Sequence, residues 1–528
     1  MNPADIALLA MAIPLLGAVG ILICGRWPNV REAVTLITAL TLAGVVVSMV
    51  PSILAPGFWA AGIPSRTLVE VLPNIPLAFQ VEPLGMVYAL IASILWVLNS
   101  LYAIGYMRGN HEKHQTRFYF WIAIAIACAM GAAFSANLFT LFVCYEALSL
   151  STVPLVTHKG TWDAVRAGRT YLGILMATSV GLLLFAIIGI AVLTGGEITF
   201  QPGGVFNDYL ASGGSTAVVG VLFFMSVYGI GKAGLMPVHR WLPAAMVAPT
   251  PVSALLHAVA VVKCGVFAVL KVTIYTFGPE TLGSLANTTW LVWVASFTIL
   301  CASAIAVCQN NFKRRLAYST ISQLSYIVLA AGLAAQGGIA GSMAAAAGAL
   351  HIIAHAFGKI TLFFAAGNVY TAHHLTEVSQ LDGIGRRMPI TFGAFTIGAL
   401  AMIGIPPTIG FLSKWSLLSA AWASGQQVAV VALVGSTLLG SIYLLEIVHR
   451  AFFRAPPQPS APTAADAHQD HQDPASAVHV HDEHHADEAP WPMCLAIACT
   501  AAATVLLFLF PGVALAIVQQ LAAGVVTP

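Results

Sequence analysis

Charge is what this sequence has least of. Asp, Glu, Lys and Arg make up 8% of the 528 residues, where a water-soluble domain carries about 25%. That scarcity excludes a soluble enzyme or binding domain, because too little polar surface is available to solvate a folded exterior. Cysteine occurs at eight positions (24, 128, 144, 264, 301, 308, 494 and 499), none of them spaced as CxxC. Iron–sulfur ligation and structural zinc are thereby excluded, and the thiols read as small core residues. A basic amino-terminal region is also missing. The opening MNPADIALLAMAIPLLGAVGILICGRW carries Asp5, and its apolar run is of spanning length, so it reads as a retained helix and not a cleaved signal. A formal net charge of +2 gives no footing for nucleic acid. No redox, hydrolytic or cofactor motif is present. What is abundant is apolar: 59% of residues, with mean hydropathy +0.86. The chain reads as an all-α polytopic membrane protein.

Apolar runs of about 20 residues count as spans. They fall near 4–24, 32–55, 83–106, 118–135, 137–157, 170–194, 217–238, 251–275, 288–309, 316–335, 341–370, 389–421, 428–453 and 491–518, fourteen in all. Loops after odd-numbered spans hold Arg26, Arg31, Arg108, Lys113, Arg117, Lys159, Arg166, Arg169, Arg240, Lys313, Arg314, Arg315, Arg386, Arg387, Arg450 and Arg454. Loops after even-numbered spans hold Arg66 alone. The positive-inside rule then puts the odd loops in the cytoplasm and both termini outside, in the cell inner membrane. A missed span would break this alternation. Residues 56–82 read as an outside loop. Residues 455–490, with six His and seven Asp/Glu, read as a disordered cytoplasmic tether; a low-affinity metal or proton buffer is the other reading.

A charge placed at mid-bilayer costs about 3 kcal/mol by insertion scales, so each one is a candidate site. Glu146 is the single carboxylate read as deep within a span. Glu446 lies four residues before Arg450 and reads as a helix-surface pair. The buried bases are Lys232, Lys263, Lys359 and Lys414, with Lys271 nearer an end. The proton affinity of a buried lysine depends on where its partner charge stands, so such a set can load and unload protons. A static Glu–Lys pair pinning two helices accounts for two residues and leaves three lysines over. In the eleventh span His351, His355 and Lys359 recur every four residues along one face, spaced for a water-assisted proton relay; core histidines satisfied by neighbours are the plainer alternative. A His-x-x-x-His metal site lacks the glutamate of zinc proteases, since Ile352 follows His351. Ser319, Ser322, Gln323 and Tyr326 share a face of the tenth span and alone read as helix–helix glue.

Two spans are interrupted. In 229–263, GIGKAGLMPVHRWLPAAMVAPTPVSALLHAVAVVK, Gly and Pro surround Lys232 and lead to His257 and Lys263. In 404–415, GIPPTIGFLSKW, the same pattern precedes Lys414. Broken helices at corresponding places in two halves mark internal repeats and an ion site. Breaks five spans apart make the copies inverted. The chain is therefore expected to divide into 1–106 (spans 1–3), 107–275 (repeat one, spans 4–8), 276–454 (repeat two, spans 9–13), the 455–490 linker and 491–528 (span 14).

These stretches, with YEALSLSTVPL (145–155), KRRLAYSTISQLSYIVLA (313–330) and HIIAHAFGKITLFFAAG (351–367), carry a resemblance. The chain resembles the antiporter-like subunits shared by Mrp-type Na⁺/H⁺ antiporters, respiratory complex I and membrane-bound hydrogenases. The resemblance implies fourteen helices with two inverted five-helix bundles. It implies proton translocation through the residues matching Glu146, Lys232, Lys263 and Lys414, with His257, His355 and Lys359 at further polar family positions. It also implies partner subunits in a hetero-oligomeric membrane complex. Lysine at 414 looks more like the Mrp D subunit. A proton-translocating D-like subunit is thus the leading expectation, without a cofactor of its own and with Na⁺ passage left open. A redox-driven complex whose electron chemistry sits in other chains is the alternative. A stand-alone solute carrier fits poorly, because the charges are spread along a relay and not gathered at one place.

Overall fold

The structure, a computed structural model, describes residues 3–73, 75–285, 288–456 and 488–526. The histidine-rich reading of the linker falls almost wholly outside them. Twelve described helices are long and apolar enough to cross a membrane. In chain order they are span 1 (Pro3–Ile23), span 2 (Pro28–Ile53), span 3 (Pro83–Gly109), span 4 (Gln115–Ala133), span 5 (Leu138–Val156) and span 6 (Trp162–Leu193). Span 8 (Thr250–Phe277), span 9 (Trp290–Val307), span 10 (Phe312–Ala334), span 11 (Gly338–His373), span 13 (Gln427–Phe453) and span 14 (Trp491–Leu509) complete the twelve. The stretches expected as spans 7 and 12 are interrupted and are not among the twelve. Span 7 is regular over Thr216–Gly229 and then irregular up to Thr250. Span 12 consists of Pro389–Ile403 and Ile409–Ala423.

Helix starts follow local chemistry. Asn137 accepts from the Thr140 amide at 2.7 Å and Asn311 from the Arg314 amide at 3.0 Å, which satisfies amides that the helices leave open. Spans 8 and 11 are enclosed along their whole apolar stretch, whereas spans 1, 2, 6, 13 and 14 turn most of theirs outward. The outer helices therefore present apolar faces outward, and the inner two are enclosed by protein.

Several expectations are corrected. Span 6 begins at Trp162, so Arg166 and Arg169 lie on a helix and not in a loop. Arg31 and Arg315 are buried in helices because carboxylates hold them there. Glu32 pairs with Arg31 at 3.4 Å and with Arg108 at 2.5 Å; Glu446 pairs with Arg315 at 2.7 Å as well as with Arg450 at 3.1 Å. The loop before span 3 contains an antiparallel hairpin, β1 (Ser65–Leu72) with β2 (Ile75–Gln80). It is pinned to the 4–5 turn, where the Ala136 amide donates to the Ala78 carbonyl at 2.9 Å. The last apolar run does not continue to 518. It breaks at Phe510–Pro511, and a further helix, Gly512–Val526, folds back against spans 3 and 11. The Trp59 indole donates to the Gln520 carbonyl at 2.9 Å and ties that helix to the loop. Of the cysteines read as core, only Cys264 is fully buried; Cys308, at the cap just past span 9, and Cys499, on the outward face of span 14, are exposed.

The break in span 12 depends on close approach. Gly404 has φ +91°, open to glycine at low cost, and Gly410 packs directly on the Ala401 carbonyl. Gly410→Ala drives a methyl into fixed backbone and is expected to cost about 1–3 kcal/mol, lowering the thermal midpoint of the detergent-solubilised protein. Gly44→Ala, which has open space around it, should leave that midpoint unchanged.

Candidate functional site

Span 7 loses its helix at Gly229 and tightens into a turn at Gly231–Ala233, closed by Gly234 at φ +70°. Three glycines bring neighbours onto this turn: Gly229 against span 6 at Leu183, Gly231 against Thr178, and Gly265 of span 8 against the Lys232 backbone itself. Lys232 is therefore fixed in a fully buried position. Its ammonium donates to the Tyr145 carbonyl and lies 3.3 Å from the centroid of the Tyr145 ring; its amide accepts nothing and donates to the Tyr145 hydroxyl at 3.0 Å. A carbonyl and an aromatic face thus hold this cation. Glu146, the next residue, is intermediate in exposure as a whole, but both of its carboxylate oxygens are buried and neither has a hydrogen-bond partner among the described residues. No direct hydrogen bond or ion pair joins it to Lys232 among the described residues: the two neighbours on span 5 point about 100° apart, and the lysine lies on Tyr145's side.

Span 8 is not a regular helix. Its backbone widens over Leu255–Val259, bends at Ala260, and widens again over Val272–Phe277. The Ala260 amide reaches back five residues to Leu255 at 2.8 Å, and the Tyr88 hydroxyl takes up the Ala260 carbonyl at 2.8 Å. Such bulges recur at functional sites. His257 stands in the first one, wholly buried against the Phe363 ring, with neither ring nitrogen bonded among the described residues.

From here the buried bases pass to span 11. Lys263 Nζ lies 2.6 Å from His355 Nδ1. His351, one turn away with ring centroids 6.3 Å apart, stacks on Tyr326 and bonds Ser413 Oγ at 3.0 Å. Ser413 precedes Lys414 on the second half of span 12. Lys414 Nζ donates to the Ile403 carbonyl at 3.3 Å, a group freed by the break, and lies 4.8 Å from the Tyr326 ring centroid. It is half-buried and lines a lateral cavity of ≈ 200 Å³ with Phe411, Trp415 and Leu438. Lys359 diverges from this line: its ammonium donates to Ser319 Oγ at 2.7 Å. Lys263, His355, His351 and Lys414 are thus gathered along one line, while Lys232 approaches it through the Gly265 contact. Lys359 branches toward span 10, and the buried Glu146 carboxylate makes no hydrogen bond or ion pair with the line among the described residues. No group of three or more His, Cys, Asp or Glu suited to a metal occurs among the described residues.

The sequence reading missed one buried pair. Glu82 is fully buried, not a loop carboxylate, and lies 3.3 Å from Lys271, which is equally enclosed. Glu82 caps span 3, accepting from the Leu84 and Gly85 amides at 2.6 and 2.7 Å, and takes the Tyr275 hydroxyl at 3.2 Å. Lys271 also donates to the Ser135 carbonyl at 2.8 Å. Pro83 at the first helical position is a helix-start signature, which puts Glu82 at the cap, and that was the available signal. Lys271→Met is expected to strand the carboxylate and destabilise the protein by about 3–5 kcal/mol, read as loss of thermal midpoint. Lys271→Arg keeps the pair and should retain most of it.

The family model described as NADH:quinone oxidoreductase/Mrp antiporter, TM, matches residues 135–440, which include every one of these bases. NADH-quinone oxidoreductase subunit N of Desulforudis audaxviator is 34% identical over 72% of this chain and 74% of that protein. F(420)H(2) dehydrogenase subunit L of Methanosarcina mazei is 31% identical over 71% of this chain; the chain spans 58% of that longer relative. Among solved structures, a chain of the Mrp complex from Dietzia sp. DQ12-45-1b superposes with TM-score 0.79 at 22% identity, covering 98% of each chain. A chain of the membrane-bound sulfane sulfur reductase, an archaeal respiratory membrane complex, does so at 0.78 with 21% identity, covering 98% of this chain and 97% of that one. The buried line of lysines and histidines is therefore that of an antiporter-like membrane subunit, and the chain belongs to the NADH:quinone oxidoreductase/Mrp antiporter transmembrane family.

Proposed function

We propose that this chain moves protons across the membrane as one subunit of a multisubunit cation/proton antiporter, of the Mrp D type. The observation that carries the reading is the 2.6 Å contact between Lys263 and His355. Two buried bases sharing one hydrogen bond hold a single proton between them, since two adjacent cations in a low dielectric repel strongly. His351 and Lys414 continue the line, and Lys232 opens it at the other helix break. Glu146, with both oxygens buried and without a hydrogen-bond partner among the described residues, is the negative charge whose distance from Lys232 sets how readily that lysine keeps its proton. His257 lends a further buried imidazole beside Lys263. The two halves, 107–275 and 276–454, act as inverted repeats with a broken helix each.

A redox-driven pump is the second reading, favoured by the relatives named as NADH-quinone oxidoreductase and F(420)H(2) dehydrogenase subunits. In it this chain does the same work, coupled to electron transfer elsewhere. Partner subunits, H⁺ as the ion carried, Na⁺ as the exchanged cation and residence in the cell inner membrane belong to the proposal. So does orientation. Arg31, Arg108, Arg315 and Arg450 gather at one end of the bundle, and the positive-inside rule makes that end cytoplasmic. Lys113→Cys should be labelled by an impermeant thiol reagent only in inside-out vesicles.

The test is proton flux into proteoliposomes holding the intact complex, with assembly checked separately. Lys232→Ala and Lys414→Ala are each expected to reduce flux more than about tenfold, ~1.4 kcal/mol in rate terms, while the complex assembles. Lys414→Glu is expected to keep part of the flux, since either side chain can carry a proton there. Undiminished flux in both alanine variants overturns the reading.

A further inference from the structure

Lys359 does not join the line from Lys263 to Lys414. It is fully buried in span 11, and its ammonium turns away to Ser319 Oγ at 2.7 Å. Ser319 in turn receives the Tyr443 hydroxyl of span 13 at 2.9 Å. Both hydroxyl residues are wholly or almost wholly buried. Tyr443 is one helical turn from Glu446, about 5 Å along the axis. The Arg315 guanidinium bridges the two positions, donating to the Tyr443 carbonyl at 3.1 Å and to Glu446 Oε2 at 2.7 Å. Glu446 is where this series meets the outside of the protein, with its side chain 36% exposed. A buried ammonium and two buried hydroxyls are thus hydrogen-bonded in series, and Arg315 ties the backbone carbonyl of the last of them to a surface carboxylate one turn further on.

We propose that this series is a second proton passage, connecting Lys359 to the arginine-rich side through Ser319 and Tyr443, with Glu446 as the group that exchanges protons with solvent. The inference rests on the proton-translocating reading above and adds a branch to it. Each hydroxyl both donates and accepts, and its hydrogen rotates. A proton leaving Lys359 Nζ passes to Ser319 Oγ while the Ser319 proton moves on to Tyr443 Oη; the Tyr443 proton passes to a water molecule and from it to Glu446, since Arg315 contacts the Tyr443 carbonyl and not its hydroxyl. The reverse sequence restores the ammonium, and no bond to carbon changes. The charges facing the passage are Lys359 from span 11, Arg315 from span 10, Glu446 and Arg450 from span 13, and Asp382 from the 11–12 connection, which pairs with Arg450 at 3.1 Å. A structural role alone requires only that Lys359 have an acceptor, which Ser319 provides without Tyr443.

The test is again proton flux by the intact complex in proteoliposomes, recorded against pH on the arginine-rich side. Tyr443→Phe keeps the ring and removes the hydroxyl; Ser319→Ala removes the middle link; Ser319→Thr keeps a hydroxyl. Flux is expected to fall at least about fivefold in Tyr443→Phe and Ser319→Ala, and to be largely restored in Ser319→Thr. Glu446→Gln is expected to flatten the pH dependence on that side. Wild-type flux and pH profile in both Tyr443→Phe and Ser319→Ala overturn the passage. If Tyr443→Phe fails to assemble, the comparison of Ser319→Ala with Ser319→Thr decides: equal flux in the two overturns it. Lys232→Ala and Lys414→Ala run alongside. Loss of flux in them with none in the hydroxyl variants removes this branch alone, whereas full flux in all four removes the underlying reading.

Discussion

An ammonium inside hydrocarbon needs an oxygen, a ring or another base to hold it, and the rest of this fold answers that requirement. Lys232 has the Tyr145 carbonyl and ring, Lys263 has His355, Lys271 has Glu82 and the Ser135 carbonyl, Lys359 has Ser319, and Lys414 has the Ile403 carbonyl. Intact helices have few carbonyls to spare, because each is used four residues on. The breaks in spans 7 and 12 and the bulges in span 8 are where backbone groups come free or side chains gain room. Irregular backbone and buried charge thus occur together for one reason.

Insulation follows from the same requirement. Spans 8 and 11, which carry His257, Lys263, His351, His355 and Lys359, are enclosed along their apolar stretches. Outward apolar faces fall to spans 1, 2, 6, 13 and 14. Only one of the five lysines is paired directly with a carboxylate. That pair, Lys271 with Glu82, is also the one braced by a helix cap and a tyrosine hydroxyl, the arrangement of a fixed strut. The other four are held by neutral groups. Neutral partners leave a lysine free to lose its proton at modest cost, since no stranded anion remains. The contrast sets the four bases proposed to carry protons apart from the carboxylate-paired one.

Much of this was legible in the chain itself. Apolar length and the one-sided distribution of Arg and Lys marked the spans, and Gly and Pro around Lys232 and Lys414 marked the breaks. The i, i+4 recurrence of His351, His355 and Lys359 placed them along one helix. Less legible were the places where local pattern and three-dimensional neighbour disagree. Glu82 reads as a loop residue until Lys271 and Tyr275 are seen around it. Glu146 reads as deep because its helix is apolar, and its carboxylate oxygens are indeed buried, but no direct ion pair joins it to Lys232 among the described residues. Arg31 and Arg315 read as loop charges until Glu32 and Glu446 are placed beside them.

By itself the sequence determined that this is a multi-helix membrane protein, where its helices fail and which residue types stand at the failures. Composition and periodicity are local properties, and the bilayer tolerates few alternatives to a helix, so they suffice for that much. Only the tertiary structure decided which lysine meets which partner. Lys263 and His355 are 92 positions apart and Lys359 and Ser319 are 40 apart. Their meeting depends on how helices pack: on glycines such as Gly265 and Gly410 that admit a neighbouring backbone, and on which face of each helix turns inward. No spacing along a single chain encodes that.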